Sequence, residues 1–332
     1  LLHDDVGCDV IVEEGATLHI EEGVKIIAVY DDIADYILVK QGGKINAVGT
    51  PDKPIVMTSE KEEPGAWGGI HICGRAHTNA EGGKGSSEIG GAVYGGNDDA
   101  DNSGTLQYIR LEYTGFAFDE EHEANGISFY GVGNGTIVDH CQAYKGSDDG
   151  FEFFGGSVNV SNLVAVSCSD DSFDWTEGWN GKGTNLVAYQ EAESTLGYDC
   201  DCLMECDNNG SNNAATPVAH PVLKNLILVG NGGSKQGIRL RAGTEVEIDN
   251  AKVCGKGQPL TVETALTENA LKNGTSKLTN ITLTSELSCK EGIYTHADFI
   301  AVTSNKVDAN LSYSSFEDIK KECSWMNGNW VK

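Results

Sequence analysis

The sequence predicts an all-β fold, a right-handed parallel β-helix of three short strands per coil with a cap at each end. Two repeats indicate it. The segment GSDDGFEFFGG at 146–156 returns as CSDDSFDWTEG at 168–178, which places acidic residues in register 22 residues apart. Asparagine followed by an apolar residue recurs with steps of 23, 40, 25 and 30 residues, at Asn162, Asn185, Asn225, Asn250 and Asn280. Repeats of this length are typical of coils that bury their apolar face only against their neighbours.

Short alternating apolar runs, punctuated by Gly and Pro, support the strand prediction. They are clear in ATLHIEEGVKIIA (16–28) and in YILVKQGGKINAVGTPDKPIVMTSE (36–60). Helical periodicity is nearly absent before the C-terminal stretch. An open β-helix presents unpaired strand edges at its ends, so both ends are expected to be covered.

We expect one domain over residues 1–332, because a solenoid grows along one axis. Its parts are an N-terminal cap, the coils and a partly helical C-terminal cap, at residues 1–14, 15–297 and 298–332. Two segments rich in Gly, Asn, Asp and Ser, 74–104 and 207–219, are expected to be excursions from the coils.

Aligning five coils separates inward from outward positions, because successive strand side chains face opposite ways. Two inward positions carry stacked apolar residues, namely Ile127, Phe151, Phe173, Met204 and Ile238, and then Phe129, Phe153, Trp175, Cys206 and Leu240. The position between them must point outward. We call it the outward column, and its members are Ser128, Glu152, Asp174, Glu205 and Arg239.

Composition limits the possible partners. Fifty acidic residues against 23 basic ones give a formal net charge of −27, which argues against nucleic acid or an anionic membrane surface. No run of 18 apolar residues occurs, so no transmembrane segment is expected, and membrane contact would need a lipid anchor or a partner protein. Among the ten cysteines we expect buried thiols, and bridges between coils or at the ends, such as Cys289 with Cys323.

Six motifs span most of the chain: GGKINAVGTPDKPIVMTS (42–59), WGGIHICGRA (67–76), YGGNDDADNSGTLQYIRLEYTG (94–115), NGISFYGVGNGT (125–136), SDDGFEFFGG (147–156) and DDSFDWTEG (170–178). On these motifs the chain resembles a family of bacterial secreted or outer-membrane-anchored β-helix proteins of pectin-lyase-like type, frequent in Bacteroidetes. The resemblance implies a protein that is secreted or lies on the extracellular face of the outer membrane. The Asn-Thr-Asp and Gly-His-Gly motifs of polygalacturonase-like hydrolases are missing.

The outward column is the first candidate for chemistry. Carboxylates held about 5 Å apart repel one another, so without a cation some of their pKa values rise. A carboxyl with a raised pKa can act as an acid while its ionised neighbour acts as a base. Glu152, Asp174 and Glu205, with Arg239, are therefore candidate catalytic residues of a polysaccharide lyase or a glycoside hydrolase acting on an acidic polysaccharide. The plainer interpretation is a ladder of acidic turns that satisfies backbone N–H groups.

Calcium is the expected cofactor, if there is one. The acidic turns place Asp149 and Asp171 on successive coils. The segment NDDADNSG (97–104) sets Asp99, Asp101 and Ser103 ahead of a glycine, as in the first half of a calcium loop, although the twelfth position is an arginine. An Asx-rich turn before the next strand explains the same residues.

Aromatic residues near the acidic turns complete the candidate site. A stacking platform for sugar rings is expected from Tyr130, Phe154, Trp179 and Tyr198, with local packing as the alternative. The sequence therefore predicts a secreted or cell-surface protein, a non-catalytic glycan-binding or structural component of a bacterial surface. The enzyme described above is one alternative, and an accessory subunit of a larger outer-membrane assembly is another.

Overall fold

The computed structural model describes residues 9–31, 33, 35–119 and 122–332, and in them the chain forms a right-handed parallel β-helix. Ten strands form one long sheet, sheet A, in the order β1-β4-β7-β11-β13-β15-β17-β19-β21-β23. Twelve strands form the other, sheet B, in the order β2-β5-β10-β12-β14-β16-β18-β20-β22-β24, with β3 and β6 beside this path. The predicted fold class is confirmed.

Most strands are short, and all but β8 and β9 belong to the two long sheets. In chain order they are β1 (Val10–Val12), β2 (Thr17–Ile20), β3 (Lys25–Ala28), β4 (Ile37–Val39), β5 (Lys44–Val48), β6 (Ile55–Ser59), β7 (Ile70–Cys73), β8 (Gly85–Ser86), β9 (Val93–Tyr94), β10 (Gly104–Glu112), β11 (Ile127–Tyr130), β12 (Ile137–Tyr144), β13 (Phe151–Phe154), β14 (Asn159–Val166), β15 (Phe173–Thr176), β16 (Lys182–Tyr189), β17 (Met204–Cys206), β18 (Val222–Val229), β19 (Gln236–Leu240), β20 (Glu247–Cys254), β21 (Gln258–Val262), β22 (Lys277–Leu283), β23 (Ser288–Cys289) and β24 (Lys306–Val307). The helices are α1 (Glu193–Leu196), α2 (Ala265–Asn273), α3 (His296–Ala301) and α4 (Phe316–Glu322).

The number of strands per coil changes along the solenoid. The first two coils have the expected three strands, β1 to β3 and β4 to β6. In β10 the second and third strands are joined, because its first half pairs with β5 and its second half with β6. Tyr108 lies between the halves in the left-handed region, at φ 51°. Later coils keep this bent strand.

The repeated asparagines stand at the bend. Asn162, Asn185, Asn225, Asn250 and Asn280 all have positive φ, which asparagine adopts more readily than other residues with a Cβ. The side chains of the first four also form a ladder, whereas Asn280 Nδ2 donates to Asp249 Oδ1 over 2.6 Å. Asn185 Nδ2 donates to Asn162 Oδ1 over 2.8 Å, and the same bond joins the next coils in turn. The sequence marker is therefore a hydrogen-bonded stack along one edge of the solenoid.

The alignment of inward and outward positions is confirmed by the strand register. Ser128 pairs with Glu152, Glu152 with Asp174, Asp174 with Glu205, and Glu205 with Arg239, all in parallel. The inward residues on either side belong to one continuous apolar core. Rings stack on rings there, and the centroids of Phe129 and Phe153 are 5.0 Å apart.

The ends differ from the predicted caps. Residues 1–8 of the predicted N-terminal cap lie outside the described residues, and β1 already pairs with β4, so the rest of that segment belongs to the first coil. At the other end Leu271 of α2 and Phe299 of α3 join the apolar core beside the last coils. These two helices are therefore the part of the chain that covers the C-terminal end.

Residues 316–332 do not cover that end, which corrects the predicted cap. They run back along the outer face of sheet B, and we call them the strap. Ile319, Cys323 and Trp330 pack there in a second apolar cluster. The strap reaches the early coils, where Asn329 N donates to Pro51 O over 2.7 Å. The reason is that the outer face of sheet B is itself apolar and needs cover.

The two predicted excursions lie between strands of sheet A and sheet B. The first runs from the end of β7 to the start of β10 and contains the antiparallel hairpin of β8 and β9. The second connects β17 to β18. They touch, because Asn79 Nδ2 donates to Asn208 Oδ1 over 2.8 Å.

The nine described cysteines all have free thiols, which corrects the expected bridges. Cys289 packs beside the interior core and Cys323 lies in the cluster under the strap, so the two belong to different cores. Eight of the nine are buried. Within the described residues no helix is both long and apolar enough to cross a membrane.

Candidate functional site

The outward column opens into a groove of about 450 Å³, which we call the acidic groove. Sheet A supplies its floor, and the turns before each strand supply one wall. Ten carboxylates and one guanidinium line it, namely Glu88, Glu123, Asp148, Asp149, Glu152, Asp170, Asp171, Asp174, Asp201, Glu205 and Arg239. The predicted catalytic residues and two of the predicted metal ligands, Asp149 and Asp171, are therefore brought together.

A ladder of hydrogen bonds builds the turn wall. Asp149 N donates to Asn125 Oδ1 over 3.2 Å, Asp171 N donates to Asp149 Oδ1 over 2.8 Å, and Cys202 N donates to Asp171 Oδ1 over 2.6 Å. Each side chain thus accepts the backbone N–H of the following coil. One oxygen of each aspartate holds the turn, and the charge of the same carboxylate contributes to the groove.

The first excursion and a later loop close the N-terminal end of the groove. Glu88 comes from the hairpin segment and accepts a hydrogen bond of 3.0 Å from the Tyr130 hydroxyl. Glu123 comes from the loop before β11. Asn125 Nδ2 donates to Glu152 Oε2 over 2.6 Å. This end of the groove combines carboxylates with uncharged hydrogen-bond donors.

Arginines occupy the other end. Arg239 Nη1 lies 2.8 Å from Glu205 Oε2, and its Nε lies 3.2 Å from Glu263 Oε1. Arg241 Nη2 contacts Glu205 Oε1 at 2.5 Å, and its Nε contacts Asp207 at 2.7 Å. Glu205 therefore has two cationic partners. The groove is polar along its length, with unbalanced carboxylates on the middle coils and ion pairs at the arginine end.

Burial and mutual repulsion raise the pKa of the central carboxyls. Burial and the charge of Asp170 raise the pKa of Asp148 to about 8. Burial, followed by the charge of Glu205, raises the pKa of Asp174 well above its usual value. Burial, together with Glu88 and Asp174, does the same to the pKa of Glu152. Groups placed in this way need protons or a bound cation to remain close together.

The spacing of the oxygens fits a hard cation. Two overlapping groups, Asp149 with Glu152 and Asp174, and Asp171 with Asp174 and Glu205, bring ligand oxygens within 4.8 Å of one another. Calcium binds oxygens at 2.3–2.6 Å, so ligands on opposite sides of one ion are about 5 Å apart. The donor set consists of carboxylates, the ligands that calcium prefers.

Asp174 is common to both groups, and one of its oxygens lacks a partner. Asp174 Oδ1 is buried and makes no hydrogen bond with any described residue. A buried polar atom without a partner costs about 1–3 kcal/mol. This orphaned oxygen, in the centre of the ladder, is the observation that fits a cation better than a purely structural turn.

A third group of possible ligands includes sulfur. Asp171, Asp201 and Cys202 also bring their ligand atoms within 4.8 Å. Cys202 Sγ donates to Asp201 Oδ1 over 3.3 Å. Burial, with the charge of Asp171, raises the pKa of this thiol above its usual value. The thiol therefore stays protonated and is a donor to Asp201 rather than a thiolate ligand.

The predicted aromatic platform is wrong. Tyr130 is fully buried, Trp179 is 1% exposed and Phe154 is 8% exposed. Tyr130 stacks on Phe154 with centroids 4.4 Å apart, under the first excursion, and Trp179 stacks on Phe153 inside the core. Only Tyr198 is partly exposed, and its hydroxyl donates to Ser167 O over 2.8 Å. Tyr130 and Phe154 lie outside the interior core, but the first excursion covers them.

The predicted calcium loop does not form a ligand shell in the structure. Asp99 Oδ1 accepts from the backbone and the ring of His77, and Asp101 Oδ2 accepts from Arg75 N over 3.1 Å. Ser103 is 1% exposed, and its N–H donates to Thr136. The two carboxylates therefore join the last part of the first excursion to its first part, just after β7. Within the described ranges, neither belongs to a group of three close ligand residues.

The sequence prediction missed several groups of the site, among them Asp201, Arg241, Asp207, Glu88 and Glu123. Arg241 and Asp207 follow Arg239 and Glu205 by two residues, so strand alternation was a signal for both. Glu88 and Glu123 come from segments outside the repeat, and no local pattern marks them.

The fold and the groove define a parallel β-helix protein with a carboxylate-lined groove on its sheet A. A family model described as a pectate-lyase like beta helix domain matches residues 4–332, and the chain belongs to that family. No curated protein and no solved structure matches the chain.

Proposed function

We propose that this chain is a non-catalytic calcium-binding β-helix that binds a glycan at a bacterial cell surface. The observation that carries the proposal is Asp174. Its Oδ1 is buried without a partner in the middle of overlapping groups of carboxylates. Calcium held there would neutralise the repulsion that raises the pKa of the groove carboxyls.

Calcium also explains how an acidic groove would bind sugar. Calcium takes six to eight oxygen ligands, more than the three carboxylates of either group supply. The remaining positions would take water or sugar oxygens. An extracellular location would suit such a site, because extracellular calcium modules work at 10⁻⁴–10⁻³ M. The buried thiols are compatible with that location, since burial raises the pKa of those of Cys73 and Cys168 to about 12 and makes them inert.

The arrangement at the arginine end argues against a lyase. A lyase needs a base that can take a proton from the sugar. Although burial opposes it, hydrogen bonds and charge from Glu263 and Glu205 raise the pKa of Arg239, so this guanidinium stays protonated. A glycoside hydrolase is the second candidate, because Glu152 and Asp174 are paired on neighbouring strands, about 5 Å apart, and keep raised pKa values.

Calorimetric titration of calcium into chelator-stripped protein tests the proposal. We expect heat of binding in the wild type, its loss in Asp174→Asn, and unchanged binding in Asp52→Asn, an exposed aspartate outside the groove. At calcium 100-fold above Kd, the wild type should gain about 2.7 kcal/mol of stability. Absence of calcium binding would overturn the proposal.

A glycan array with and without calcium then separates the two candidates. A non-catalytic protein retains glycans in a calcium-dependent way and releases no reducing sugar. Release of reducing ends that is lost in Asp174→Asn and kept in Asp52→Asn would replace the proposal by the hydrolase.

A further inference from the structure

A second groove lies on the opposite side of the solenoid, where the strap leaves part of sheet B uncovered. We call it the strap groove. It has a volume of about 290 Å³, and its lining includes Tyr144, Val166, Tyr189, Phe316, Glu191 and Lys332. None of these residues lines the acidic groove.

The floor of the strap groove is a row of three side chains from successive coils. Tyr144 pairs with Val166, and Val166 pairs with Tyr189, at the same position of successive coils. The two tyrosines are therefore two strand spacings apart, about 9.6 Å. Both are partly exposed, whereas Val166 is 3% exposed. The two tyrosine rings, with the smaller Val166 side chain between them, form an apolar surface. The apolar faces of sugar rings can pack on such a surface.

The strap forms both ends of the groove. The Phe316 ring lies 5.4 Å from the Tyr189 ring, at the start of α4. At the other end, Lys332 Nζ lies 4.6 Å from the centre of the Tyr144 ring. The opening between them admits a narrow chain rather than a protein surface, because a stable protein interface covers about 800 Å² on each partner.

The charged groups around the groove are compensated. Lys145 Nζ lies 2.8 Å from Glu191 Oε2, and Lys332 Nζ lies 3.2 Å from Glu112 Oε2. The remaining lining carboxylate, Glu317, pairs with Lys320 at 3.1 Å. Paired charges offer hydrogen bonds to hydroxyls without favouring an ion. A polyanion would also be repelled by the net charge of −27.

We propose that the strap groove binds a neutral saccharide chain, with sugar rings on Tyr144 and Tyr189 and hydroxyls on Glu191 and Lys332. This site goes beyond the proposed calcium-dependent function, since it uses another face of the solenoid and no cation. It gives the protein two independent contacts with glycan, and two linked sites raise the overall affinity through effective concentration.

Affinity electrophoresis tests the site, with gels that contain a neutral β-glucan, glucomannan or galactomannan, or polygalacturonate. We expect retardation by at least one neutral polymer in the presence of chelator. Tyr189→Ala should weaken it about tenfold or more, since stacking on one ring contributes about that factor. Tyr30→Ala, which removes an exposed tyrosine of the first coil, should leave it unchanged.

Controls separate this site from misfolding and from the acidic groove. Ser315 also lines the groove, so Ser315→Trp fills it while keeping both tyrosines and should abolish retardation. A melting temperature close to that of the wild type shows that this variant folds. Asp174→Asn should retain neutral-polymer binding, whatever happens to calcium. Absence of retardation in every neutral polymer would overturn the proposal, and so would equal retardation of wild type and both groove variants. A dimer that disappears in Tyr189→Ala would overturn it in favour of a protein interface.

Discussion

The backbone N–H of Asp171 donates a hydrogen bond to Oδ1 of Asp149 over 2.8 Å, across two neighbouring coils. A carboxylate that lines the acidic groove is therefore also a turn residue. Asn125 shows that charge is unnecessary for the turn, because its amide oxygen accepts the same bond from Asp149 N one coil earlier. Substitutions of Asp149 can therefore separate its role as a hydrogen-bond acceptor in the turn from the effect of its charge in the groove.

Asp149→Asn should keep the turn and remove the repulsion, whereas Asp149→Ala should lose the turn. We expect Asp149→Asn to match or exceed the wild type in free energy of unfolding at pH 8 in chelator. Asp149→Ala should fall below Asp149→Asn by about 1–3 kcal/mol, because the buried N–H of Asp171 loses its acceptor. Urea unfolding measures both values. Equal stability of the two variants would contradict the double role.

The stability of calcium-free protein should fall as the pH rises from 5 to 8. The pKa of Asp148 is raised to about 8 in the folded protein, above its usual value near 4. Between these values the folded state binds protons that the unfolded state has released, so stability is present at low pH and is lost as the pH passes the folded pKa. We expect a loss of at least about 1 kcal/mol in chelator, measured by urea unfolding.

Calcium provides the control for that pH profile. A bound cation replaces the protons, so saturating calcium should restore stability at pH 8 and flatten the profile. A profile that rises towards pH 8 in chelator would show that the groove carboxyls are ionised without strain.

The repeat allowed the outward column to be predicted, because register depends on local alternation. Glu152 and Asp174 fall in neighbouring strands as the alignment requires. Coverage of a face depends instead on segments far away in sequence. Tyr130 points outward yet is fully buried, because the excursion before β10 lies over it. Glu88 reaches the groove in the same way, and no repeat marks its position.

The sequence does indicate that the outer face of sheet B is covered, although a prediction based on strand alternation alone overlooks it. The strands NLVAV (162–166), NLVAY (185–189) and NLILV (225–229) are apolar at consecutive positions. A strand of this kind is buried on both faces. Val164 and Val187 lie on the outer face and are almost fully buried beneath the strap. The continuous runs predict that something covers sheet B, but not which segment.

The stability of the protein should depend on Arg239, because this arginine bridges Glu205 and Glu263 at one end of the groove. Arg239→Gln removes the cation shared by these two carboxylates, whose side chains are 14% and 10% exposed. We expect a loss of about 1–3 kcal/mol at pH 8, less than for a fully buried pair because Arg239 is 26% exposed. Urea unfolding measures it.

Two comparisons make that result specific. Adding Glu263→Gln should recover part of the loss, because it removes a carboxylate that Arg239→Gln leaves with the exposed Lys290, 2.9 Å away, as its cationic partner. Arg75→Gln breaks the surface pair with Glu14 and should cost less than about 1 kcal/mol. An equal cost for Arg75→Gln and Arg239→Gln would show that the bridge at Arg239 stabilises the protein no more than an exposed surface ion pair does.

The strap should detach as a unit when its anchor is removed. Trp330 is fully buried, and its ring lies 5.2 Å from the His140 ring and 6.2 Å from the Tyr108 ring. Trp330→Ala should cost about 3–5 kcal/mol in the local stability of the strap. Hydrogen exchange should then quicken in residues 316–332, while the strands of the coils keep their protection, because each coil remains paired with its neighbours.

Milder substitutions calibrate the effect of the anchor. Trp330 Nε1 has no hydrogen-bond partner among the described residues, so Trp330→Phe should lose packing area but no hydrogen bond and should cost less than Trp330→Ala. Trp325→Ala, at a partly exposed ring of the same cluster, should have a smaller effect. Loss of protection throughout the coils in Trp330→Ala would mean that the strap and the solenoid unfold together. That outcome would make the strap part of the core rather than a cover over sheet B.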